Sequence, residues 1–172
     1  NAVTSDILPT LCELAGRPLP ARPLDGISLV GLLEGRLESR PAPICFWDGR
    51  ARADARTPYI DPELQKGTTP LAKLGADGAT RNFLNYRQTD IRPEDFAGSL
   101  AIVDNRFKLV VDGAARRGAG GGMVKELFDL RVDPAERNDL AAKHPDEVAR
   151  LHRQLRTWQE SVLASLTGAD YR

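Results

Sequence analysis

The sequence contains few of the residues that build disulfide frameworks and metal sites. Its 172 residues include only two cysteines and two histidines. Cys12 and Cys45 do not form a C-x-x-C pair, so a disulfide framework is excluded and buried, unreactive thiols are favoured. His144 and His152 stand in charged surroundings, and their wide spacing disfavours a shared metal ion. The sequence therefore offers no obvious metal or redox centre.

Net charge and long apolar runs are also lacking. The 24 basic residues balance the 24 acidic residues, so the chain has no electrostatic driving force toward a polyphosphate. No apolar run approaches the ~20 residues of a membrane helix. The first ten residues also lack the basic start and continuous apolar stretch of a signal peptide. Nucleic acid and membrane are excluded as predicted partners, and the chain is expected to be soluble.

The first 40 residues predict two short helices. Ser5 is a candidate cap for the first helix, which is predicted to end in a left-handed turn at Gly16. One face of this helix carries the apolar residues Ile7, Leu8, Leu11, Leu14 and Ala15. A helix of about ten residues is marginal alone, so this face needs a larger packing partner. Ser28 and Gly35 predict the limits of the second helix, and a structural boundary is expected near Arg40.

The remaining chain predicts a small sheet and a long helix. Residues 43–47 predict a buried strand, which is followed by an irregular region over residues 49–98. Alternating apolar residues around Asp104-Asn105 predict a two-residue hairpin, because this pair tolerates positive φ. Residues 125–130 predict a further antiparallel strand, and Pro145 begins an amphipathic helix. The predicted fold class is α+β, with the C-terminal helix packed on one face of the sheet.

Sequence motifs for a nucleophile or a phosphate are missing. There is no G-x-S-x-G elbow, and the glycine run 120–122 does not continue as a phosphate-binding loop. An acidic group is formed by Asp129, Asp133, Glu136 and Asp139. Its spacing is not that of a calcium loop, so we interpret it as a chain reversal that begins at Asp133-Pro134.

Four segments, in order along the chain, resemble the C-terminal part of sulfatases of the arylsulfatase type. They are residues 5–11 (SDILPTL), 24–29 (LDGISL), 107–109 (FKL) and 126–140 (ELFDLRVDPAERNDL). Each segment alone is weak evidence for this family, but the occurrence of all four in this order is specific for it. The resemblance covers both ends of the chain and is weak between Arg50 and Gly98.

The resemblance implies that residues 1–40 are the tail of a truncated α/β catalytic domain of the alkaline-phosphatase type, and that residues 41–172 form the C-terminal subdomain. Sulfatases use calcium and a formylglycine made from a C/S-x-P-x-R motif. Neither Cys12 nor Cys45 lies in such a motif, so no catalytic residue, metal ligand or cofactor is assigned to this chain. The chain alone is expected to be inactive.

For the parent enzyme, the resemblance implies hydrolysis of sulfate esters, with a sulfated polysaccharide as the expected substrate. It also implies that the missing N-terminal catalytic domain is the partner of this chain, and that the enzyme is periplasmic or secreted. In such enzymes the smaller subdomain supports the larger one and helps to wall the substrate entrance.

The irregular region supplies the predicted substrate contacts, because basic side chains there can form charge-assisted hydrogen bonds with a sulfated sugar. The predicted substrate-binding residues are Arg50, Arg52, Arg81 and Arg87, with Arg56 and Lys66 as further members. An ordinary solvated surface is the alternative interpretation for any single one of them, since the acidic content is nearly equal.

Three other residues invite functional roles that their sequence context disfavours. Strand parity places Lys108 on the outward face of the hairpin, which predicts a solvated lysine. Trp47 and Trp158 lie in apolar patterns, which favour core packing over a sugar-binding platform.

Two other classes of function stay open. The chain could be a non-catalytic module that docks on another protein through the apolar face of its first helix. It could also be a fragment of a relative that acts on phosphate esters or phosphonates, because fold does not fix function.

Overall fold

The computed structural model of the protein describes residues 1–49, 57–58, 86–87, 90–112, 123–167 and 169. Its three α-helices are α1 (Ile7–Leu14), α2 (Val30–Leu33) and α3 (Pro145–Leu166). Its six strands are β1 (Ile44–Gly49), β2 (Thr57–Pro58), β3 (Tyr86–Arg87), β4 (Gly98–Val103), β5 (Phe107–Asp112) and β6 (Val124–Asp129). Within these described ranges, none of the helices has the length and apolar character needed to cross a bilayer.

Four strands form one antiparallel sheet in the order β1-β4-β5-β6, and β2 pairs with β3 separately. The register places Cys45 opposite Ile102, and Ile102 in turn lies opposite Leu109. β1 is thus an edge strand, which corrects the prediction of a buried strand over residues 43–47. Its Phe46 side chain is 49% exposed. Cys45 and Trp47 of the same strand pack against the core, so Phe46 lies on the opposite face of the sheet.

The hydrophobic core lies between this sheet and α3, as the α+β prediction requires. Alternate strand residues face the helix, because side chains along a strand point to opposite sides. The buried cluster comprises Leu100, Ile102, Phe107, Leu109, Val111, Leu127, Leu151 and Leu155. The α3 members are four residues apart and therefore share one helical face. The predicted sheet covered by a C-terminal helix is confirmed.

The hairpin between β4 and β5 has a tight turn, but its chemistry differs from the prediction. The Asp104 N–H donates to the Phe107 carbonyl at 3.0 Å, which leaves Asn105 and Arg106 as the two turn residues. Neither has a positive φ. The Asp104 carboxylate instead accepts the N–H groups of Arg106 and Phe107 at 2.9 and 2.8 Å. A side-chain acceptor thus stabilises the turn without a left-handed residue.

The predicted ends of the two N-terminal helices agree with the structure, whereas their predicted caps do not. Gly16 and Gly35 have φ of 61° and 71°, which confirms the predicted left-handed helix ends. The N-cap of α2 is Leu29, so Ser28 is not the predicted cap; its Oγ accepts the Val30 N–H at 3.2 Å one residue earlier. Ser5 does not cap α1, because a 3-10 turn over Thr4–Asp6 precedes that helix. Asp6 is the N-cap residue of α1, but its carboxylate accepts the N–H of Val3, before the 3-10 turn, and not an N–H of the helix.

Candidate functional site

A buried ion pair organises residues 1–40, which we call the N-terminal unit. The Arg40 guanidinium donates two hydrogen bonds of 2.7 Å to the two carboxylate oxygens of Asp6. Asp6 is fully buried, and it also accepts the N–H groups of Val3 and Ile27 at 2.9 Å each. The hydrogen bond from Arg40 is the main cause that lowers the pKa of Asp6 to about 2. The carboxylate is therefore ionised at neutral pH and ties three parts of the unit together.

The segments SDILPTL and LDGISL form one interlocked structure around this pair. Thr10 Oγ1 donates to the Asp6 carbonyl at 2.7 Å and accepts the Leu29 N–H at 3.0 Å. A Cβ at Gly26 would lie 1.9 Å from the Ser5 carbonyl oxygen, so only glycine fits where the two segments cross. The residues that carry the family resemblance at this end of the chain are therefore architectural.

Arg40 also connects the N-terminal unit to the sheet. Its N–H donates to Asn105 Oδ1 at 2.7 Å, and Asn105 Nδ2 donates back to the Arg40 carbonyl at 2.8 Å. Asn105 lies in the turn between β4 and β5. The chain near Arg40, where the sequence predicts a structural boundary, therefore contacts the sheet. Arg40 thus holds the unit against one end of the hairpin.

The N-terminal unit turns several large apolar side chains outward, although Val30 is buried. Its inner face holds Asp6 and Pro9, both of which are buried. The exposed large apolar side chains of α1 and α2 are Ile7, Leu8, Leu11, Leu14, Leu32 and Leu33, with exposed fractions between 43% and 73%. We call these six residues the apolar face. An apolar cluster of this kind on a surface marks a site of contact with another protein surface.

A cleft of about 520 Å³ lies between the N-terminal unit, the start of β1 and α3. Trp158 Nε1 donates to Asp25 Oδ1 at 2.7 Å across it. The wall includes Cys45, whose thiol pKa is raised to about 12 by burial and by the charge of Asp25. That thiol is protonated at neutral pH and is not a nucleophile there. The prediction of an unreactive thiol at this position agrees with its surroundings.

Both tryptophans pack against the core, in line with the prediction. Trp47 and Trp158 are half-buried against the hydrophobic cluster. Trp47 Nε1 donates to the Ala97 carbonyl at 3.1 Å, so each indole N–H has a fixed partner. Burial of the ring body with a bonded N–H is the usual state of a core tryptophan.

The acidic group after β6 holds a chain reversal, as predicted. Asp133 Oδ2 accepts the N–H groups of Arg137 and Asn138 at 2.8 Å each. Asp139 Oδ1 accepts the N–H of Leu127 at 3.0 Å, which occupies the outer edge of β6. In the described part of the chain, no group of three or more His, Cys, Asp or Glu residues is placed to hold a metal ion.

Lys108 has a partner that its position in the sequence does not reveal. Its Nζ donates to both carboxylate oxygens of Glu136 at 2.7 Å, and only 25% of its side chain is exposed. Glu136 has a φ of 54°, in the left-handed region. The prediction of a solvated strand lysine is therefore wrong. Glu136 follows Lys108 by 28 residues, and the turn after β6 brings its carboxylate to the lysine.

The predicted substrate-binding arginines lie largely outside the described residues. This holds for Arg50, Arg52 and Arg81, and also for Arg56 and Lys66. Arg87 belongs to β3, where its backbone lies opposite Thr57. Their role in binding a sulfated sugar stays a prediction.

No protein-family model matches this sequence, and no curated protein matches it. Solved structures do. The first is a Bacteroides thetaiotaomicron protein designated BT33336S-sulf, described under the metabolism of multiple glycosaminoglycans. It matches 90% of this chain and 24% of its own chain, with 20% identity and a TM-score of 0.50.

Two further solved structures match at lower TM-scores. BT4656, in complex with its substrate D-glucosamine-2-N,6-O-disulfate, matches 91% of this chain and 23% of its own, with 16% identity and a TM-score of 0.48. The phosphonate monoester hydrolase of Agrobacterium radiobacter matches 90% and 24%, with 24% identity and a TM-score of 0.45. The chain thus spans about a quarter of the length of these proteins. Similarity at such low identity concerns the fold, and for the fold it confirms the resemblance seen in the sequence motifs: this chain folds like one part of BT33336S-sulf.

Proposed function

We propose that this chain is the C-terminal portion of a sulfatase that hydrolyses the sulfate esters of a polysaccharide. Residues 1–40 would belong to the tail of the catalytic α/β domain, and residues 41–172 would form the smaller subdomain that braces it. The chain contributes support and substrate contacts, while the reacting groups come from the preceding part of the enzyme. A periplasmic or secreted enzyme fits a polysaccharide substrate.

The apolar face is the observation that carries this proposal. Its six large side chains lie exposed on a unit that Asp6, Thr10 and Arg40 already hold together internally. Burying one leucine side chain stabilises a structure by roughly 1.5–3 kcal/mol, so a covered face of this size would hold two domains together. The proposed cover is the remainder of the catalytic domain, since the matched structure is about four times longer than the matched region.

The carboxylates that the structure describes do not fit the calcium of sulfatases, and neither cysteine lies in a formylglycine motif. Carboxylates of the turn after β6 already accept backbone N–H groups: Asp133 from Arg137 of the same turn, and Asp139 from Leu127 of β6. Cys12 and Cys45 lack the proline and arginine of the formylglycine motif. No chemical step is therefore derived through either group, and both would belong to the preceding part of the enzyme.

The basic residues of the irregular region keep their proposed role at the substrate entrance. Arg50, Arg52, Arg81 and Arg87 would donate charge-assisted hydrogen bonds to sulfate or carboxylate groups of the polysaccharide. Changing Arg50 or Arg81 to alanine in the complete enzyme should lower kcat/KM on a sulfated glycan. Arg137→Ala, on the turn after β6, is the matched control, and equal kcat/KM in all three variants would remove the two residues from the site.

The direct test uses the complete gene product. We expect a C/S-x-P-x-R motif upstream of residue 1 and calcium-dependent release of sulfate from a sulfated disaccharide, with no release by the 172-residue chain alone. Faster hydrolysis of a phosphonate monoester or a phosphate ester would favour the related hydrolases instead. An upstream sequence without any hydrolase motif would support a binding module and contradict the proposal.

A further inference from the structure

A second cavity, of about 570 Å³, lies between the 3-10 turn at Pro93–Phe96, the start of β4 and α3. Its volume is within the range of small-molecule sites. Among the described residues, the polar side chains of its lining are His152, Arg153, Arg156 and Gln159, and none of them is a carboxylate. Three groups that are cationic or can become so therefore surround a concave, otherwise apolar space.

Arg156 is held in place by uncharged groups. Its guanidinium carbon lies 3.3 Å from the centroid of the Phe96 ring. Its Nη1 lies 3.3 Å from Oε1 of Gln159, which is buried and donates to the Phe96 carbonyl at 3.1 Å. The ion pair with Glu160 is long, at 3.7 Å, and Glu160 is not part of the lining. The guanidinium is thus oriented in advance while much of its hydrogen-bonding capacity stays available.

The other basic groups at this cavity lack acidic partners. Within the described ranges, neither Arg153 nor His152 makes a hydrogen bond or an ion pair. Burial, Lys125 of β6 and Arg156 of α3 all lower the pKa of His152. By contrast Arg40, Arg106 and Arg150 of the same chain each pair with a carboxylate. Among the described residues, the only internal counterion of this positive charge is Glu160, through its long ion pair with Arg156.

We propose that this cavity binds the anionic group of a sulfated or carboxylated saccharide, with Arg153 and Arg156 as the hydrogen-bond donors. Guanidinium groups recognise sulfate and carboxylate through paired charge-assisted hydrogen bonds. Nucleic acid is disfavoured, because Arg156 covers the Phe96 ring that a base would stack on and the chain has no net charge. The geometry of the cavity alone supports the recognition of an anionic group. The inference that this group is carried by a saccharide rests on the proposed function.

The test follows the two histidines by proton NMR while ligand is added to the 172-residue chain. Three probes are compared at equal concentration: a sulfated disaccharide, the same disaccharide without sulfate, and inorganic sulfate. We expect the sulfated disaccharide to shift the C2 proton of His152 and to raise its pKa, because an anion offsets the nearby positive charge. His144, whose ring lies against Phe107, is the internal control and should not shift.

Variants assign the binding to the proposed donors. Arg153→Ala removes an exposed side chain without internal partners, so it should leave the fold intact and weaken binding roughly tenfold, as expected for one lost charge-assisted bond. Arg156→Ala should weaken binding by at least as much. Arg137→Ala, on the turn after β6, is the matched control and should bind as the unaltered chain does.

Each outcome decides a separate point. Unchanged affinity in Arg153→Ala, or no movement of His152 with any probe, would overturn the anion site. Equal affinity for sulfated and unsulfated disaccharide would overturn it as well. Inorganic sulfate binding as tightly as the sulfated disaccharide would overturn the saccharide assignment. None of these results changes the hydrolysis assay of the complete gene product, so failure here is distinct from failure of the proposed function.

Discussion

The N-terminal unit buries a charged pair, whereas the sheet and α3 bury mainly apolar side chains. The sheet and α3 enclose fully buried leucines such as Leu109, Leu127 and Leu155. The N-terminal unit encloses Asp6 and Arg40 together with Val30, and leaves Leu11 and the rest of the apolar face at the surface. The sheet and helix therefore have a hydrophobic core of their own, whereas the N-terminal unit is held by a polar network.

This contrast explains how residues 1–40 can be ordered and still present an interface. A short helix such as α1 is marginal alone and normally gains its stability by burying an apolar stripe. Here the buried Asp6 carboxylate, which accepts four hydrogen bonds, fixes the start of the helix instead. The apolar side chains are left available for a surface outside the chain.

Breaking the polar network should have the largest effect. Asp6→Asn keeps the shape of the side chain but leaves the buried Arg40 guanidinium without a counterion, which costs about 3–5 kcal/mol of stability. Urea unfolding measures the loss. Glu34→Gln, which disrupts the exposed pair with Arg36, is the matched control and should change the free energy of unfolding by about 1 kcal/mol or less. Similar losses in both variants would show that burial of the Asp6 pair does not matter.

Truncating the apolar core should have the next largest effect. Leu109→Ala removes a fully buried side chain between the sheet and α3 and should cost about 2–5 kcal/mol. Leu14→Ala makes the same chemical change on the apolar face and should alter stability by about 0.5 kcal/mol or less. Urea unfolding of the two variants side by side checks this. A large loss in Leu14→Ala would place that face inside the core of the isolated chain.

The pH dependence of stability should carry the signature of Asp6. Its pKa falls from an ordinary value of 3.8 to about 2 in the folded chain, so the folded state binds fewer protons than the unfolded state. The resulting stabilisation is present above about pH 4 and is lost as the pH falls through about 2. Urea midpoints at successive pH values should decline over this window, and the decline should be smaller in Asp6→Asn. Parallel curves for the two proteins would contradict this assignment.

Local patterns in the sequence predict the sheet and α3 well, because the contacts of a strand or helix recur at fixed spacing. The stripe along α3 and the alternation of β4 and β5 both appear in the structure. Pairs distant in sequence leave no such pattern. Asp6 meets Arg40 across 34 residues and Lys108 meets Glu136 across 28. Neither pairing follows from spacing, although the first motif named both Asp6 and its neighbours.

The candidate sites show the same limit. The predicted arginines were selected for charge in an irregular region, which has no periodicity to place one of them beside another. The cavity lined by Arg153 and Arg156 could not be predicted from charge, because both residues fit the polar face of an amphipathic helix. Only the packing of Phe96 against Arg156 and Gln159 of α3 brings out their arrangement.

The apolar face allows the most direct test of the claim that this chain braces a larger domain. Leu11→Ala and Leu33→Ala are introduced together into the 172-residue chain and into the complete gene product, and urea unfolding is measured in both. We predict a change of about 0.5 kcal/mol or less in the chain alone and a loss of roughly 2–5 kcal/mol per leucine in the complete protein, where both side chains would be buried. An equally small change in the complete protein would leave the face uncovered there and contradict the account.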